Sequence, residues 1–246
     1  DFKLGVPASE LFNQPYVNLW GFGTSLAEAY ADGMLSLYRR EMHFAGWADI
    51  GMAVVNVTRS VVDGTDADSL SRAEIVLRQQ ILEFLQFFRN RVPGCQNCYL
   101  VATAGSVGVR ESRRIQGLYQ LTDADVRTGR WFEDAVLQGG FPVDSHDPMG
   151  HSMEAAEQVS SAYDIPYRCL LPKAVESLIV AGRSISATRK ALASARVTAT
   201  CMAMGQAAGT AAALSVKLSV SPHLLDVALL QRALREQGVF LHQQNL

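Results

Sequence analysis

Residues 177–217 carry the strongest local pattern in the chain: an apolar strand, a glycine turn and a long helix of small residues. Ser177 to Ala181 has strand character and runs into Gly182, and the helix that starts at Arg196 consists mainly of Ala, Gly, Thr and Ser. Small side chains let another backbone or a flat ligand approach closely. A helix start also offers unpaired N–H groups and a positive dipole end, which stabilise an anion. The pattern indicates either a ligand-binding unit or a tightly packed α/β unit without a ligand.

Charge and composition exclude several classes of protein. The 22 Lys and Arg residues against 24 Asp and Glu residues give a net charge of −2, which lacks the basic excess of a nucleic-acid-binding protein. With 48% hydrophobic and 19% charged residues among 246, the chain is expected to fold around a sizeable core as one large or two small domains. The low share of charged residues predicts a surface that faces a ligand, another domain or another subunit. Assembly into a homo-oligomer is one of these alternatives.

The run from Ala199 to Val216 approaches the length of a membrane span. It consists mostly of small residues and contains Gln206, so it predicts a buried helix rather than a membrane-spanning one. A signal peptide typically has a basic segment followed by an apolar one. The first residues of this chain, from Asp1 onward, do not show this pattern. A cytoplasmic location is therefore the expectation.

Hydrophobic periodicity divides the chain into alternating helices and strands. Helices are predicted at 24–44, 71–90, a short stretch after Thr122, 196–217 and 222–236. Strands are predicted at 49–58, 99–104, 114–121, 163–171 and 177–181. Ser71 and Glu74 form a capping box that would open the second helix, and Pro93-Gly94 would end it. The element order predicts an α/β fold or an α+β fold.

Several longer motifs follow one another between residues 95 and 214. They are 108–115 (GVRESRRI), 119–122 with 129–130, 145–148 (SHDP), 163–172 (YDIPYRCLLP), 178–187 (LIVAGRSISA), and Arg196 with 200–213 (TCMAMGQAAGTAAA). In this order the motifs resemble the FAD-dependent oxidoreductase family, distant relatives of the succinate dehydrogenase and fumarate reductase flavoproteins.

The resemblance implies a domain division, a cofactor and a reaction class. Residues 1–158 would form a substrate or cap domain of α+β character, and residues 159–246 the C-terminal part of a Rossmann-like FAD-binding domain. The cofactor would be FAD, and the reaction hydride transfer between the flavin and a small, acidic organic substrate. The alternative is a non-enzymatic domain that reuses the flavoprotein fold to bind a ligand or a partner.

The resemblance also implies which residues contact the cofactor. Ala181, Gly182 and Arg183 would lie at the ribityl or pyrophosphate side of FAD. The N–H groups of the helix start would face the pyrimidine edge of the isoalloxazine, where negative charge develops on reduction. The complete set of cofactor residues implied by the resemblance is Ala181, Gly182, Arg183, Ser186, Arg196, Val197, Thr198 and Ala199. Arg183 departs from the acidic residue that many relatives carry at this position, which leaves its contact open.

One expected motif does not occur in the sequence. No Gly-x-Gly-x-x-Gly opens a strand–helix unit, and Gly21-Phe-Gly23 has no third glycine in register. Flavoproteins of this kind carry that ADP-binding motif at the N-terminus. We therefore expect the chain to be the C-terminal part of a longer flavoprotein whose N-terminal half supplies the motif.

Arg110, Arg113 and Arg114 crowd one turn together with Glu111. Guanidinium groups bind carboxylates through paired hydrogen bonds, so the turn predicts a substrate-binding or catalytic cluster. An ion-pair knot with Glu111 that only stabilises the turn explains the same residues. His146 is a candidate proton donor near the flavin, or a loop histidine without a catalytic role.

Cys95 and Cys98 form a CxxC motif after a Pro-Gly turn. A zinc site would need a second pair, and the other two cysteines lie in predicted buried elements. A redox-active dithiol usually starts a helix after a strand, whereas this motif precedes a predicted strand. The sequence favours two free thiols in a loop and predicts no metal site.

Overall fold

The computed structural model describes residues 16–47, 49–144 and 159–241. Contacts divide the chain into two compact units, one of residues 1–109 with 146–153 and one of residues 110–145 with 154–246. Each unit combines helices with a small sheet, so the architecture is α+β. The contact boundary lies at residue 109, whereas the sequence placed a functional boundary at residue 158. The assignment of a substrate domain and a FAD-binding domain stays a prediction.

The first unit contains a three-stranded antiparallel sheet. Its strands are β1 (Val17–Gly21), β2 (Met42–Trp47) and β3 (Met52–Asn56), and β2 pairs with both neighbours. Helix α1 (Gly23–Ala31) follows β1. The predicted strand at 49–58 is confirmed in its centre.

The predicted helix at 24–44 is wrong beyond its first third. Helix α1 ends at Ala31, and Gly33 follows with a left-handed φ of 71° that no helix interior accepts. Met42, which the periodicity assigned to the end of the helix, begins β2 and lies fully buried. Its place in the sheet depends on pairing with β1 and β3, which a helical period cannot reveal.

Helix α2 (Ala67–Arg91) begins earlier than its predicted capping box. Asp66 is the N-cap, and its carboxylate accepts hydrogen bonds from the backbone N–H groups of Asp68 and Ser69. The prediction that the Ser71–Glu74 capping box begins this helix is therefore wrong. The predicted end is confirmed, because Val92 caps the helix directly before Pro93. Phe84, Phe87 and Phe88 face the core of this unit.

The second unit contains a two-stranded sheet and four helices among the described residues. The elements are α3 (Asp123–Thr128), β4 (Ala135–Gly139), β5 (Tyr163–Pro166), α4 (Arg189–Ala195), α5 (Thr198–Leu218) and α6 (Val227–Glu236). The predicted helix at 196–217 is confirmed as α5. The predicted helix at 222–236 divides into a short 3-10 turn, Pro222–Leu224, and α6.

Helix α3, the short helix predicted after Thr122, starts with a capping box. Thr122 and Asp125 exchange hydrogen bonds, and the buried Asp125 carboxylate also accepts bonds from Tyr119 and Arg130. Burial acts to raise the pKa of Asp125, but hydrogen bonds from Thr122, Tyr119 and Arg130 outweigh it and lower the pKa below its usual value. The box therefore holds a charged carboxylate inside this unit.

Three predicted strands are wrong: 99–104, 114–121 and 177–181 have no strand conformation. The segment 114–121 makes only isolated bridges, at Gly117 and Leu121, and bonds to loops instead of joining a sheet. Ile115 N–H donates to the carbonyl of Ser184 at 2.9 Å, and Leu118 N–H donates to the carbonyl of Leu171 at 2.9 Å. These bonds hold the arginine-bearing segment beside the turn at residue 182. β5 likewise ends at Pro166 rather than at the predicted residue 171.

Within the described ranges, none of the helices combines the length and the apolar character that crossing a membrane would require.

Candidate functional site

The junction of α4 and α5 forms the first part of the candidate site. Arg196 caps the end of α4, and Val197 is the N-cap of α5 without a side-chain hydrogen bond to the helix start. The first intrahelical bond of α5 runs from Cys201 N–H to the carbonyl of Val197. The N–H groups of Thr198 and Ala199 therefore have no acceptor within the helix, and both residues are exposed. A 21-residue helix presents its positive dipole end here.

A glycine turn lies against this helix. Gly182 begins the 3-10 turn Gly182–Ser184, which packs against α5. Its φ of 77° is left-handed, and a Cβ added at this position would meet no atom within 4 Å. The glycine thus leaves open space beside the helix start. Ala181 and Gly182 are half-buried, and Arg183 is exposed.

Ser186 is the implied cofactor residue that lies deepest. It is 1% exposed, its N–H donates to the carbonyl of Cys169, and its carbonyl accepts from Leu121 N–H. A Cβ on Gly117 would lie 2.6 Å from the Cβ of Ser186, so the two backbones approach closely. These contacts show a packing role for Ser186, and its contact with a cofactor stays a prediction.

Asp144 links two arginines of the site. Its carboxylate accepts a hydrogen bond from Arg110 at 2.9 Å and lies 3.4 Å from Arg196, whose guanidinium also donates to the Asp144 carbonyl at 3.1 Å. Burial and the neighbouring Arg110 lower the pKa of Arg196. Its side chain is 15% exposed. Arg196 is thus a partly buried cation beside the helix start.

Glu111 links a second pair of arginines. Its carboxylate contacts Arg114 at 3.3 Å and Arg189 at 3.0 Å. Arg113 is exposed, and its side chain has no hydrogen bond or ion pair with any residue that the structure describes. The predicted ion-pair knot with Glu111 therefore exists for Arg114, while Arg113 lies outside it.

The two linked pairs lie next to each other and carry an excess of positive charge. We call this group the arginine cluster: Arg110, Arg114, Arg189 and Arg196 with Glu111 and Asp144. The proximity is visible at Arg196, whose pKa responds to Arg110, Asp144, Glu111 and Arg183. Four guanidinium groups share two carboxylates, so the cluster suits an anionic ligand.

The structure brings most of the predicted site residues together. Arg110, Arg114, Arg183 and Arg196 lie in one electrostatic neighbourhood beside the glycine turn and the helix start. His146 lies outside the described residues. The predicted strands on either side of the arginine turn, 99–104 and 114–121, have no strand conformation.

Sequence reasoning missed Asp144 and Arg189. Asp144 contacts Arg110 across 34 positions and Arg196 across 52, and Arg189 reaches Glu111 across 78. No local spacing reveals such pairs. The only available signal was the excess of arginines over acids in the turn, which requires additional carboxylates nearby.

Comparison with known proteins identifies the family. A family model described as FAD dependent oxidoreductase matches residues 13–234. Neither the curated proteins nor the solved structures contain a match to this chain. Because the family match extends over nearly the whole sequence, this chain belongs to the FAD dependent oxidoreductase family.

Proposed function

We propose that this chain forms the flavin-contacting C-terminal part of a Rossmann-like oxidoreductase, with hydride transfer between FAD and a small, acidic organic substrate. Membership of the family supports redox chemistry with FAD. The observation that carries the proposal is the juxtaposition of an uncapped helix start, an open glycine turn and the arginine cluster.

The residues at this place fit FAD. The open space at Gly182 admits a group that a Cβ would exclude. Thr198 and Ala199 are exposed, and their N–H groups suit an electron-rich edge of the cofactor. The arginine cluster adds positive charge next to them. Ala181, Gly182, Arg183, Arg196, Val197, Thr198 and Ala199 would hold the cofactor.

FAD supplies the two-electron hydride chemistry when it is bound. The helix start would stabilise negative charge on a bound flavin, since its N–H groups are fixed by α5 and need no rearrangement. Asp144 holds Arg110 and Arg196 in place, and Glu111 holds Arg114. Arg113, whose side chain has no partner among the residues that the structure describes, would bind and orient a substrate carboxylate.

Thr198→Pro tests the helix start without disturbing the helix. Thr198 is the first residue of α5, a position where proline is favourable, and Val197 before it already has the extended conformation that proline requires. The change removes one N–H donor. Loss of a hydrogen bond to a charged group costs about 1.5–3 kcal/mol. We therefore expect the two-electron potential of bound FAD to fall by about 30–65 mV.

Val227→Pro is the matched control. Val227 is the first residue of α6, whose N-cap Asp226 is also extended, so the same N–H is lost at a helix start outside the site. Its FAD potential should equal that of the wild-type complete protein. Equal potentials for Thr198→Pro and wild type would exclude the α5 start as the flavin contact. FAD that stays oxidised with every small organic acid and alcohol tested would favour the non-enzymatic binding domain.

A further inference from the structure

The segment after α2 holds Cys95 and Cys98 in a fixed turn. Cys95 N–H donates to the carbonyl of Val92 at 3.1 Å, and Cys98 N–H donates to the carbonyl of Cys95 at 3.0 Å. Arg89 of α2 donates from Nε to the carbonyl of Cys98 at 2.8 Å. The bond between Cys98 and Cys95 closes a four-residue turn, in which the first and last Cα atoms lie within about 7 Å.

The two cysteines share the same surroundings within this unit. Cys95 and Cys98 are half-buried, and both pack against the apolar cluster that contains Phe84, Phe87 and Phe88. Burial raises the pKa of the Cys95 thiol, and the neighbouring Cys98 thiol raises it further. The two sulfur atoms are thus neighbours.

A metal site explains the pair less well than thiol chemistry does. A structural zinc ion takes four ligands. In the ranges that the structure describes, no group of three or more His, Cys, Asp or Glu side chains is placed to hold a metal ion. Disulfides form between cysteines whose Cα atoms lie about 4.4–6.8 Å apart, a range that this turn allows.

We propose that Cys95 and Cys98 form a reversible dithiol–disulfide site that exchanges with small disulfides such as oxidised glutathione. One cysteine thiolate attacks the glutathione disulfide, whose S–S bond breaks and releases one glutathione. The second thiolate then attacks the protein sulfur of the mixed disulfide, forms the Cys95–Cys98 bond and releases the second glutathione. The two thiols lose two electrons and two protons, and the glutathione disulfide gains them. The fixed turn favours this second step because the two cysteines are already neighbours.

The site can be tested on the purified 246-residue chain with mixtures of reduced and oxidised glutathione. After equilibration, free thiols are blocked with iodoacetamide, disulfides are reduced, and the new thiols are labelled with N-ethylmaleimide. Trypsin yields one peptide from Val92 to Arg110, which contains both cysteines of the motif and neither of the other two. Under oxidising mixtures, we expect both cysteines of this peptide to carry N-ethylmaleimide and the unreduced peptide to lack two hydrogens.

Single variants separate an internal disulfide from independent reactions. Cys95→Ser and Cys98→Ser should each retain one bound glutathione, whereas the wild type should retain none, since its second thiol displaces it. Cys201→Ser, which removes another half-buried thiol, should leave the pair unchanged. The proposal is overturned if both cysteines remain blocked by iodoacetamide in oxidised glutathione alone. It is equally overturned if the wild-type peptide carries glutathione on either cysteine at equilibrium.

Discussion

Replacing Arg113 with Met separates anion binding from a structural role. Arg113 is exposed and has no hydrogen bond or ion pair with the described residues, and Met retains much of its aliphatic stem. Surface substitutions of this kind change the free energy of unfolding by less than about 0.5 kcal/mol. For a chain of this size, the melting temperature should then shift by less than about 2 °C.

The same change should strongly weaken the binding of an anion. A charge-assisted hydrogen bond contributes about 1.5–3 kcal/mol, so its loss raises the dissociation constant about 10- to 150-fold. Oxalate is a suitable probe, because its carboxylates accept paired bonds from a guanidinium. Titration calorimetry of oxalate against the FAD-loaded protein measures this constant, and urea unfolding measures stability on the same samples.

Two other arginines provide the comparison. Arg114→Met removes an ion pair with Glu111 and should lower stability by about 0.2–1 kcal/mol. Arg232→Met removes the same charge from an exposed position on α6 and should change neither quantity. The reasoning is refuted if Arg113→Met binds oxalate as the Arg232 variant does. A large loss of stability in Arg113→Met would instead reveal a structural role.

Four other tests probe the cofactor contacts and the packing of the second unit. The 246-residue chain, which has no Gly-x-Gly-x-x-Gly unit, should lose FAD on dialysis, and a flavin absorption spectrum that survives dialysis would contradict this. Gly182→Val should lower flavin content and stability, because a left-handed φ costs a branched residue about 1–2 kcal/mol. Gly209→Ala, inside α5 with open space at its Cβ position, should instead raise the free energy of unfolding by about 0.5–1 kcal/mol, and equal melting temperatures for the two variants would refute this. Asp125→Asn should destabilise by about 1–3 kcal/mol at neutral pH. Because the folded pKa of Asp125 is lowered, that loss should begin to shrink as the pH falls through about 4, the usual pKa of an unfolded Asp, and should vanish only below the folded pKa; urea unfolding over a series of acidic pH values checks it.

Elements fixed by local chemistry were predictable from the sequence. Thr122 and Asp125 form their capping box within four residues, and α5 follows from a long run of small helix-forming residues. The end of α2 follows from Pro93, which excludes helical conformation in the residue before it. In each case, the residues that decide the structure are neighbours in the sequence.

Elements that depend on distant partners were not predictable. The segment at 114–121 has the composition of a strand, but its hydrogen bonds go to Ser184 and Leu171 in loops. The β propensity of a segment reports how well it fits a neighbouring strand, and the sequence does not say whether that neighbour exists. Arg110 likewise finds its partner Asp144 across 34 positions.

The charge of the arginine cluster is a local property rather than a consequence of composition. The whole chain carries a net charge of −2, yet four guanidinium groups at this place share the carboxylates of Glu111 and Asp144. Like charges so close together repel one another, and the lowered pKa of Arg196 reflects this repulsion together with burial. Among the described residues of the cluster, positive charge exceeds negative charge, and such an excess destabilises the folded chain unless an anion offsets it. A bound anion recovers that free energy, and the uncapped start of α5 adds fixed N–H donors at the same place. We propose that the cluster binds an anion, either a substrate carboxylate or the electron-rich edge of FAD.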